Sequence, residues 1–343
     1  MRVAVTGATG FIGWHAARAL TAAGHEVRAL VRDAGKGQRL LAPLGIGSDR
    51  LVEGDMADEA AVGRLLEGLG ADDGVLHAAA AVSVTDPLLG AAAFAANRRG
   101  VECVVGGAHE RGLGAIAAVS SSIVLFSPGR DTTADSPVAP GRTHYGRSKA
   151  ESEAVLRARM DAGAPIAVVY PTGVIGPDDP GRSESVKAFR GFLRTTIRSS
   201  GGTQFVDVRD LAALLVQVLS RRISGRILAA GHYFLWDELT DLVEEVAGVR
   251  PSRLRAPGFA LRGAGRLFDG IAKLTGRRFP ISREGMEIAT RMRPAPDSPV
   301  VGELGISWRD AHETLTDMYG WMVAEGRLPA GAVPRIVRER PSG

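Results

Sequence analysis

The chain has 343 residues, of which 45% are hydrophobic, so it can bury one large core or a large domain with a smaller one packed against it. Its net charge of +4 is spread without a long basic block or a nucleic-acid-binding motif, so no nucleic acid partner is expected. The single cysteine, Cys103, excludes an intrachain disulfide and fits a reducing, cytoplasmic location. The absence of a long apolar stretch predicts no membrane span, and the opening apolar run is too short for a signal peptide.

Strand-like and helical segments alternate through residue 230. Strands are predicted at residues 3–6, 26–31, 50–53, 74–77, 115–120 and 165–170. Helices are predicted between them at residues 11–23, 58–69, 97–110 and 144–161. This repeated strand–helix–strand order predicts an α/β fold, with a doubly wound parallel sheet covered by helices on both faces.

The pattern loosens beyond residue 170. Further elements are predicted at residues 184–199 (helix), 205–219 (a strand end and a helix), 226–229 (strand), 236–247, 260–274, 283–291 and 309–325 (helices). We assign residues 1–170 and about 203–230 to the sheet domain, about 171–202 and 231–330 to a smaller, mostly helical C-terminal lobe, and 331–343 to a tail.

Three glycines, spaced by three residues in TGATGFIG, join the first strand to the first helix. Gly7 permits the sharp turn, Gly10 lets the backbone approach a pyrophosphate, and Gly13 lets the helix pack closely on the strand. The free N–H groups and the dipole of a helix N-terminus favour a phosphate. An ordinary strand–helix turn is the alternative. We favour a Rossmann dinucleotide-binding domain, with the C-terminal lobe as the substrate lobe.

This spacing of glycines resembles the fingerprint of the extended short-chain dehydrogenase/reductases, known as the NAD-dependent epimerase/dehydratase family. Matching segments cover roughly residues 1–220, and the resemblance is to the dihydroflavonol-reductase-like members in particular. It implies cofactor contacts from the fingerprint and from the ends of later strands. The cofactor-binding residues so implied are Gly7, Thr9, Gly10, Phe11, Ile12, Gly13, Asp55, Met56, Ala78, Ala79, Pro171 and Val174, together with Arg32, Tyr145 and Lys149 described next.

The end of the second strand bears on the choice between the two nicotinamide cofactors. An acidic residue there binds the ribose 2′-OH of NAD(H), whereas a positive one accommodates the 2′-phosphate of NADP(H). The sequence VRALVRD places Arg32 at this point and Asp33 one residue later. Arginine suits a phosphate through its fork geometry, so NADP(H) is favoured. NAD(H) is the alternative, with Asp33 turned to the ribose and Arg32 in solvent.

The segment HYGRSKAESE carries Tyr145 and Lys149 four residues apart, on one face of the predicted helix. A nearby ammonium lowers a tyrosine pKa from about 10 toward the working range. The alternative is an exposed pair on an amphipathic helix. Three serines end the fifth strand, and a hydroxyl there can donate to a substrate oxygen. The family pattern identifies Ser121, with Ser120 and Ser122 as alternatives one residue out of register.

We therefore predict an NADP(H)-dependent oxidoreductase that reduces a carbonyl, or oxidises an alcohol, of a small molecule. By family resemblance, Tyr145 exchanges a proton with the substrate oxygen, Lys149 also holds the ribose, and Ser121 positions the oxygen. No metal is expected. The alternatives are a nucleotide-sugar epimerase and, in another class, a non-catalytic NADP(H)-sensing regulator. The family commonly dimerises through two helices per subunit, so a homodimer stays open.

Two further expectations concern the substrate. Residues 81–89, with Phe126, Val174 and Ile175, are apolar and indicate an apolar substrate. Arg209 either meets an anionic substrate or forms a buried pair with Asp210. The basic, apolar stretch at residues 258–278 is interpreted as a lobe helix over the substrate, with contact to a membrane or partner as the alternative.

Overall fold

The computed structural model describes residues 1–80, 91–141, 144–181, 183–275 and 282–339, without the side chains of residues 91–94, 144, 145, 273 and 339. The strands are β1 (Arg2–Thr6), β2 (Glu26–Val31), β3 (Leu51–Glu53), β4 (Gly74–His77), β5 (Ala115–Val119), β6 (Ile166–Pro171), β7 (Gly173–Ile175), β8 (Thr195–Arg198), β9 (Gly202–Asp207), β10 (Gly225–Ala229), β11 (His232–Leu235) and β12 (Ser252–Arg255). The helices are α1 (Phe11–Ala22), α2 (Ala34–Leu41), α3 (Glu59–Leu65), α4 (Ala91–Glu110), α5 (His144–Asp161), α6 (Glu184–Phe192), α7 (Val208–Ser220), α8 (Trp236–Ala247), α9 (Gly258–Thr275), α10 (Arg283–Arg291), α11 (Pro299–Glu303), α12 (Ala311–Ala324) and α13 (Pro334–Glu339).

The central sheet is parallel and, over the described residues, contains seven strands in the order β3-β2-β1-β4-β5-β6-β10. β1 pairs with β2 on one side and with β4 on the other, so the strand order reverses at β1. In such sheets a crevice for ligands opens outside the carboxyl ends of the strands at this reversal. The predicted doubly wound parallel sheet is confirmed.

Apolar clusters cover the two faces of this sheet. Val3 and Val5 belong to one cluster and Ala4 to the other, as the alternation of side chains along a strand requires. Leu20 of α1 joins the first cluster, and Val104 of α4 joins the second. Both faces are therefore dry, which explains why the strands are continuous apolar runs and not alternating ones.

Beside the central sheet lie two small sheets, β11-β9-β7 and β12-β8, and β9 falls almost entirely in the range 203–230 that the sequence analysis assigned to the sheet domain. The helix predicted over residues 184–199 is wrong beyond Phe192, where α6 ends. Thr195–Arg198 forms β8 because it pairs in parallel with β12, and the hydroxyl of the buried Thr196 meets that of Thr240 at 2.8 Å. The segment forms a strand and not the predicted helix because its pairing partner, β12, lies more than 50 residues away in the sequence.

Two expectations about the whole chain can be placed on the structure. Over the described ranges, no helix combines the length and apolar character that crossing a bilayer needs. Cys103 is buried and carries a free thiol. The division into a dinucleotide-binding domain and a substrate lobe stays a prediction, as does the homodimer.

Candidate active site

The turn between β1 and α1 requires glycine at two of its three glycine positions. Gly7 has a φ of +78°, and a Cβ there would lie 2.6 Å from the backbone nitrogen of Ala79 at the exit of β4. A Cβ on Gly13 would lie 2.1 Å from the carbonyl oxygen of Gly7. At Gly10 a Cβ would meet only the Gly7 oxygen, at 3.3 Å. The protein's own packing therefore explains Gly7 and Gly13, whereas Gly10 leaves room for a ligand.

The N-terminus of α1 carries no side-chain cap. Gly10 is the N-cap residue, and no acidic side chain lies in the first turn. By contrast, side chains cap the first turns of α2 (Asp33), α6 (Ser183) and α7 (Asp207). Free N–H groups and an unopposed dipole fit a phosphate at α1. The residues present thus fit the pyrophosphate of a dinucleotide.

Arg32 and Asp33 have different surroundings at the end of β2. The Asp33 carboxylate accepts a hydrogen bond from the backbone N–H of Lys36 at 2.8 Å and so caps α2. Arg32 is exposed and makes no hydrogen bond or ion pair with any described residue. The capping role leaves Asp33 less available to a ribose, while Arg32 remains available to an anion.

The other residues expected to touch the cofactor lie along the same edge of the sheet. Half-buried positions are held by Thr9, Ile12, Asp55, Met56, Ala78 and Ala79, and buried positions by Phe11, Pro171 and Val174. The carboxylate of Asp55 accepts a hydrogen bond from the backbone of Ala57 at 2.9 Å, which fixes the loop after β3. Contact between these side chains and the cofactor stays a prediction.

Lys149 is buried on α5 at the exits of β4 and β5. It borders a small, partly open pocket of about 20 Å³ whose polar lining includes His77, Asn97, Ser120 and Ser152. Burial lowers the pKa of Lys149 from 10.5 to about 8, and the charge of Glu153 opposes that shift. Tyr145 lies in the first turn of α5, four residues earlier, and its side chain is outside the described ones.

The neighbours of Lys149 include a neutral histidine. His77 is buried, and its Nδ1 lies 2.8 Å from the hydroxyl of Thr6. Burial first, and then the charge of Lys149, lower the pKa of His77 to about 3. His77 is therefore uncharged at neutral pH and adds no positive charge beside the lysine. Asn97 donates to the hydroxyl of Ser148 at 2.9 Å, which ties α4 to α5.

The serines after β5 differ in their partners. Ser120 donates its hydroxyl to Glu153 at 3.0 Å and lines the space beside Lys149. Ser121 caps a short 3-10 turn by accepting from the backbone N–H of Ile123 at 3.4 Å. This contact uses an oxygen lone pair and leaves the Ser121 proton free to donate. The geometry thus brings Ser120, not Ser121, against the lysine, and leaves Ser121 the hydroxyl available to a ligand.

Sequence reasoning missed a buried polar network behind the lysine. Glu153 is fully buried and accepts hydrogen bonds from Ser120, from the hydroxyl of Tyr170 and from the Nε of Arg157 at 3.0 Å. Burial, together with the Glu153 charge, raises the pKa of Tyr170. A signal was present in the sequence, because Lys149, Glu153 and Arg157 follow one another at intervals of four along α5.

Two expectations about the substrate region need correction. Arg209 is held by Asp207 at 2.7 Å and by Asp317 at 2.7 Å, whereas Asp210 pairs with Arg309. Arg209 is therefore a structural ion-pair residue, with partners other than the one predicted. Ile175 is fully buried in the core and cannot line a substrate site, whereas Phe126 is half-buried. Residues 81–89 lie outside the described residues.

Comparisons with known proteins identify the family and the fold. The model of the NAD dependent epimerase/dehydratase family matches residues 3–231. The chain is 27% identical to sterol demethylase protein B of Methylococcus capsulatus over 96% of this chain and 100% of that protein. It is 28% identical to the 4-hydroxy-2-methyl-3-oxo-4-farnesyl-3,4-dihydroquinoline-1-oxide ketoreductase of Stigmatella aurantiaca over 97% and 99%. The UDP-glucose-4-epimerase of Stenotrophomonas maltophila, solved with bound NAD, superposes with a TM-score of 0.72 at 22% identity, covering 95% of this chain and 99% of that one.

Proposed function

The chain belongs to the NAD dependent epimerase/dehydratase family and is an NAD(P)-dependent oxidoreductase, and from this premise we propose that it uses NADP(H) to reduce a carbonyl group of a small lipophilic molecule. The observation that carries the proposal is the buried ammonium of Lys149, at the exits of β4 and β5 and four residues after Tyr145. An ammonium beside a phenol favours the phenolate and so adjusts the phenol for proton transfer near neutral pH.

The proposed reduction divides the work among three side chains. Tyr145 gives its phenolic proton to the carbonyl oxygen, and Ser121 donates a hydrogen bond to the same oxygen. Lys149 lowers the pKa of Tyr145 and binds the nicotinamide ribose. The uncapped N-terminus of α1 at Gly10 binds the pyrophosphate. When bound, NADPH supplies the hydride for the carbonyl carbon.

The preference for NADP(H) rests on the end of β2. Arg32 is exposed and has no partner in the described part of the chain, whereas Asp33 caps α2. A free guanidinium matches the 2′-phosphate, and a carboxylate engaged by a backbone N–H is less available to a ribose 2′-OH.

The proposal of a lipophilic substrate rests on the names of two relatives and on the ion pairs that occupy Arg209. The names of two relatives refer to a sterol and to a farnesylated quinoline with a keto group. Both are lipophilic ring systems. In this chain Arg209 is occupied by two carboxylates, so it offers no free cation to the diphosphate of a nucleotide sugar. These observations support a lipophilic carbonyl over a nucleotide sugar.

Catalysis is tested with a panel of ketosteroids and prenylated quinolone ketones, by the loss of NADPH absorbance. We expect Tyr145→Phe to lower kcat by about 100-fold or more while NADPH still binds. Ser121→Ala is expected to lower kcat by about 100-fold, and the matched Ser122→Ala to leave it unchanged. If Tyr145→Phe were fully active on a ketone that the wild type reduces, the mechanism would be overturned.

Cofactor choice is tested by titrating NADPH and NADH and following nicotinamide fluorescence. The wild type should bind NADPH at least about tenfold more tightly. Arg32→Ala should remove this preference and leave the affinity for NADH unchanged. Preference of the wild type for NADH would contradict the assignment of Arg32. A tightly retained nicotinamide with no net NADPH oxidation would instead indicate the nucleotide-sugar epimerase.

A further inference from the structure

Helix α9 presents an uncovered apolar stripe to solvent. Phe259, Leu267 and Leu274 are 73%, 64% and 88% exposed. With Gly263 and Gly270 they fall within an arc of about 80° on the helix and extend over about 22 Å. A Cβ on either glycine would meet nothing within 4 Å, so the stripe is open along its length. Large apolar side chains grouped in this way mark a contact surface.

The opposite side of α9 is packed against α10. Leu261 is buried, and a Cβ on Gly265 would lie 2.7 Å from the carbonyl oxygen of Ser282. The helix therefore has one side that holds it on the lobe and one side without a partner among the described residues. The exposed stripe is not needed to attach α9 to the rest of the protein.

Positive charge borders the stripe. Arg266 is exposed and has no hydrogen bond or ion pair with any described residue. Arg262 instead faces α10, where it donates to the neutral hydroxyl of Thr290 at 2.9 Å, so Arg266 is the described basic residue at the edge of the stripe. The one acidic residue in the α9 sequence, Asp269, accepts from the backbone nitrogen of Arg283 at 3.1 Å, which directs it toward α10.

We propose that α9 docks on an anionic membrane surface, with Phe259, Leu267 and Leu274 inserted among the lipids and Arg266 at the headgroups. An apolar face bordered by basic residues is the pattern of helices that lie in the plane of a membrane interface. A second copy of the chain is a poorer occupant, because a two-fold contact through this helix would bring like arginines together. The purpose of the docking rests on the proposed function, since a lipophilic carbonyl compound partitions into the bilayer.

The test is flotation with unilamellar vesicles of phosphatidylcholine, with and without about 30 mol% phosphatidylglycerol. We expect the full chain to float with the anionic vesicles and weakly or not at all with the neutral ones. Combined replacement of Phe259, Leu267 and Leu274 by Gln should abolish flotation. Arg266→Gln should weaken binding roughly fivefold. The matched control changes two exposed apolar residues elsewhere, Leu235→Gln and Val337→Gln, and should float like the wild type.

The outcomes separate this inference from the proposed function. Turnover of a water-soluble ketone by the triple variant, with flotation lost, supports docking through α9. A wild-type protein that reduces ketones but does not float overturns the docking and leaves the function. A protein that floats through the stripe but reduces no ketone overturns the function and leaves the docking. If light scattering shows that the triple variant turns a dimer into a monomer and the wild type does not float, the occupant is a second copy and the inference fails.

Discussion

At the scale of single residues, the glycines of the opening turn have separable roles. A Cβ on Gly13 would lie only 2.1 Å from the Gly7 oxygen, so no side chain fits there, whereas a Cβ on Gly10 would lie 3.3 Å from that oxygen, a tight contact that a small shift relieves. We expect Gly13→Ala to lower the thermal unfolding midpoint strongly, because the backbone of the turn must move. We expect Gly10→Ala to fold normally and to bind NADPH at least about tenfold more weakly. Normal NADPH affinity in folded Gly10→Ala would contradict a pyrophosphate site at this turn.

Buried His15 makes stability depend on pH. Its Nε2 lies 3.0 Å from the Pro177 carbonyl oxygen and its Nδ1 3.1 Å from Arg18. Burial first, and then the Arg18 charge, lower the pKa of His15 from 6.5 to about 4. Between these values the unfolded chain binds a proton that the folded chain does not bind. The stability is thus fully present above pH 6.5 and is lost as the pH falls toward about 4.

This linkage predicts a slope of about 1.4 kcal/mol per pH unit from His15 across that window. Urea unfolding of the wild type and of His15→Gln at several pH values measures it. The variant should show a shallower dependence between pH 6.5 and 4. Above pH 6.5 the two proteins should show parallel dependences, because His15 is neutral there in both the folded and the unfolded chain. Equal slopes in the wild type and His15→Gln would refute the assignment.

At the scale of elements, α5 organises the site through one row of side chains. Lys149 faces the strand exits, and Glu153 one turn later binds Ser120, Tyr170 and Arg157. Glu153 touches neither cofactor nor substrate in the proposed reaction, so it is a positioning residue. It fixes α5 against β5 and β6, and its charge raises the pKa of Lys149 against the effect of burial.

Replacement of Glu153 should therefore affect both stability and the pH profile. Glu153→Leu leaves Arg157 without its buried partner and should lower the free energy of unfolding by about 3–5 kcal/mol. Tyr170→Phe removes one neutral donor and should cost about 1–2 kcal/mol. Glu153→Gln should shift the pH dependence of kcat to lower pH, since the Lys149 ammonium loses a favourable charge. A purely structural role would leave that profile in place.

The elements that could be predicted from the sequence are those whose pattern is local. Helix α5 and strands β2 and β4 have the predicted bounds. Turn glycines mark two of these elements, because Gly141 and Gly163 flank α5 and Gly24 precedes β2. Helix α4 begins at Ala91, six residues before the predicted start, since a run of alanines gives no boundary signal. Helix α2, which Asp33 caps, was not predicted because its two glycines have low helix propensity. The short strands of the lobe exist only through pairing with distant segments.

The candidate site divides in the same way. Lys149, Arg32 and the three glycines were identified from local motifs in which the chemistry fixes residue types and spacing, and their roles stay predictions. The polar network around Ser120 could not be identified in this way. Glu153 and Tyr170 come close to Ser120 only when α5 and β6 pack on β5. The choice of Ser121 over Ser120 rests on register in the family motif and stays a prediction, while in the structure Ser120 lies beside Lys149 and donates to Glu153.

At the scale of the whole molecule, the sheet and the C-terminal helices share one core. The apolar cluster that contains Val5 of β1 also contains Phe205 of β9, Trp236 of α8 and Met318 of α12. Tyr319 is fully buried on α12, and its hydroxyl donates to the carbonyl oxygen of Phe189 in α6 at 2.9 Å. The predicted cofactor domain and substrate lobe therefore share one continuous hydrophobic core, and no polar boundary separates them within this cluster of described residues.

Continuity of the core predicts that the sheet and the lobe unfold together. Separate domains unfold as separate steps when their interface is small and polar, and as one step when they share buried apolar surface. Scanning calorimetry should show a single transition whose calorimetric and van't Hoff enthalpies agree. Tyr319→Phe, which leaves the Phe189 oxygen without its donor, should move the entire transition down by a few degrees, since it costs about 1–2 kcal/mol. Two resolved transitions, with Tyr319→Phe displacing only one of them, would show instead that the lobe is an independent folding unit and that the shared cluster contributes little coupling.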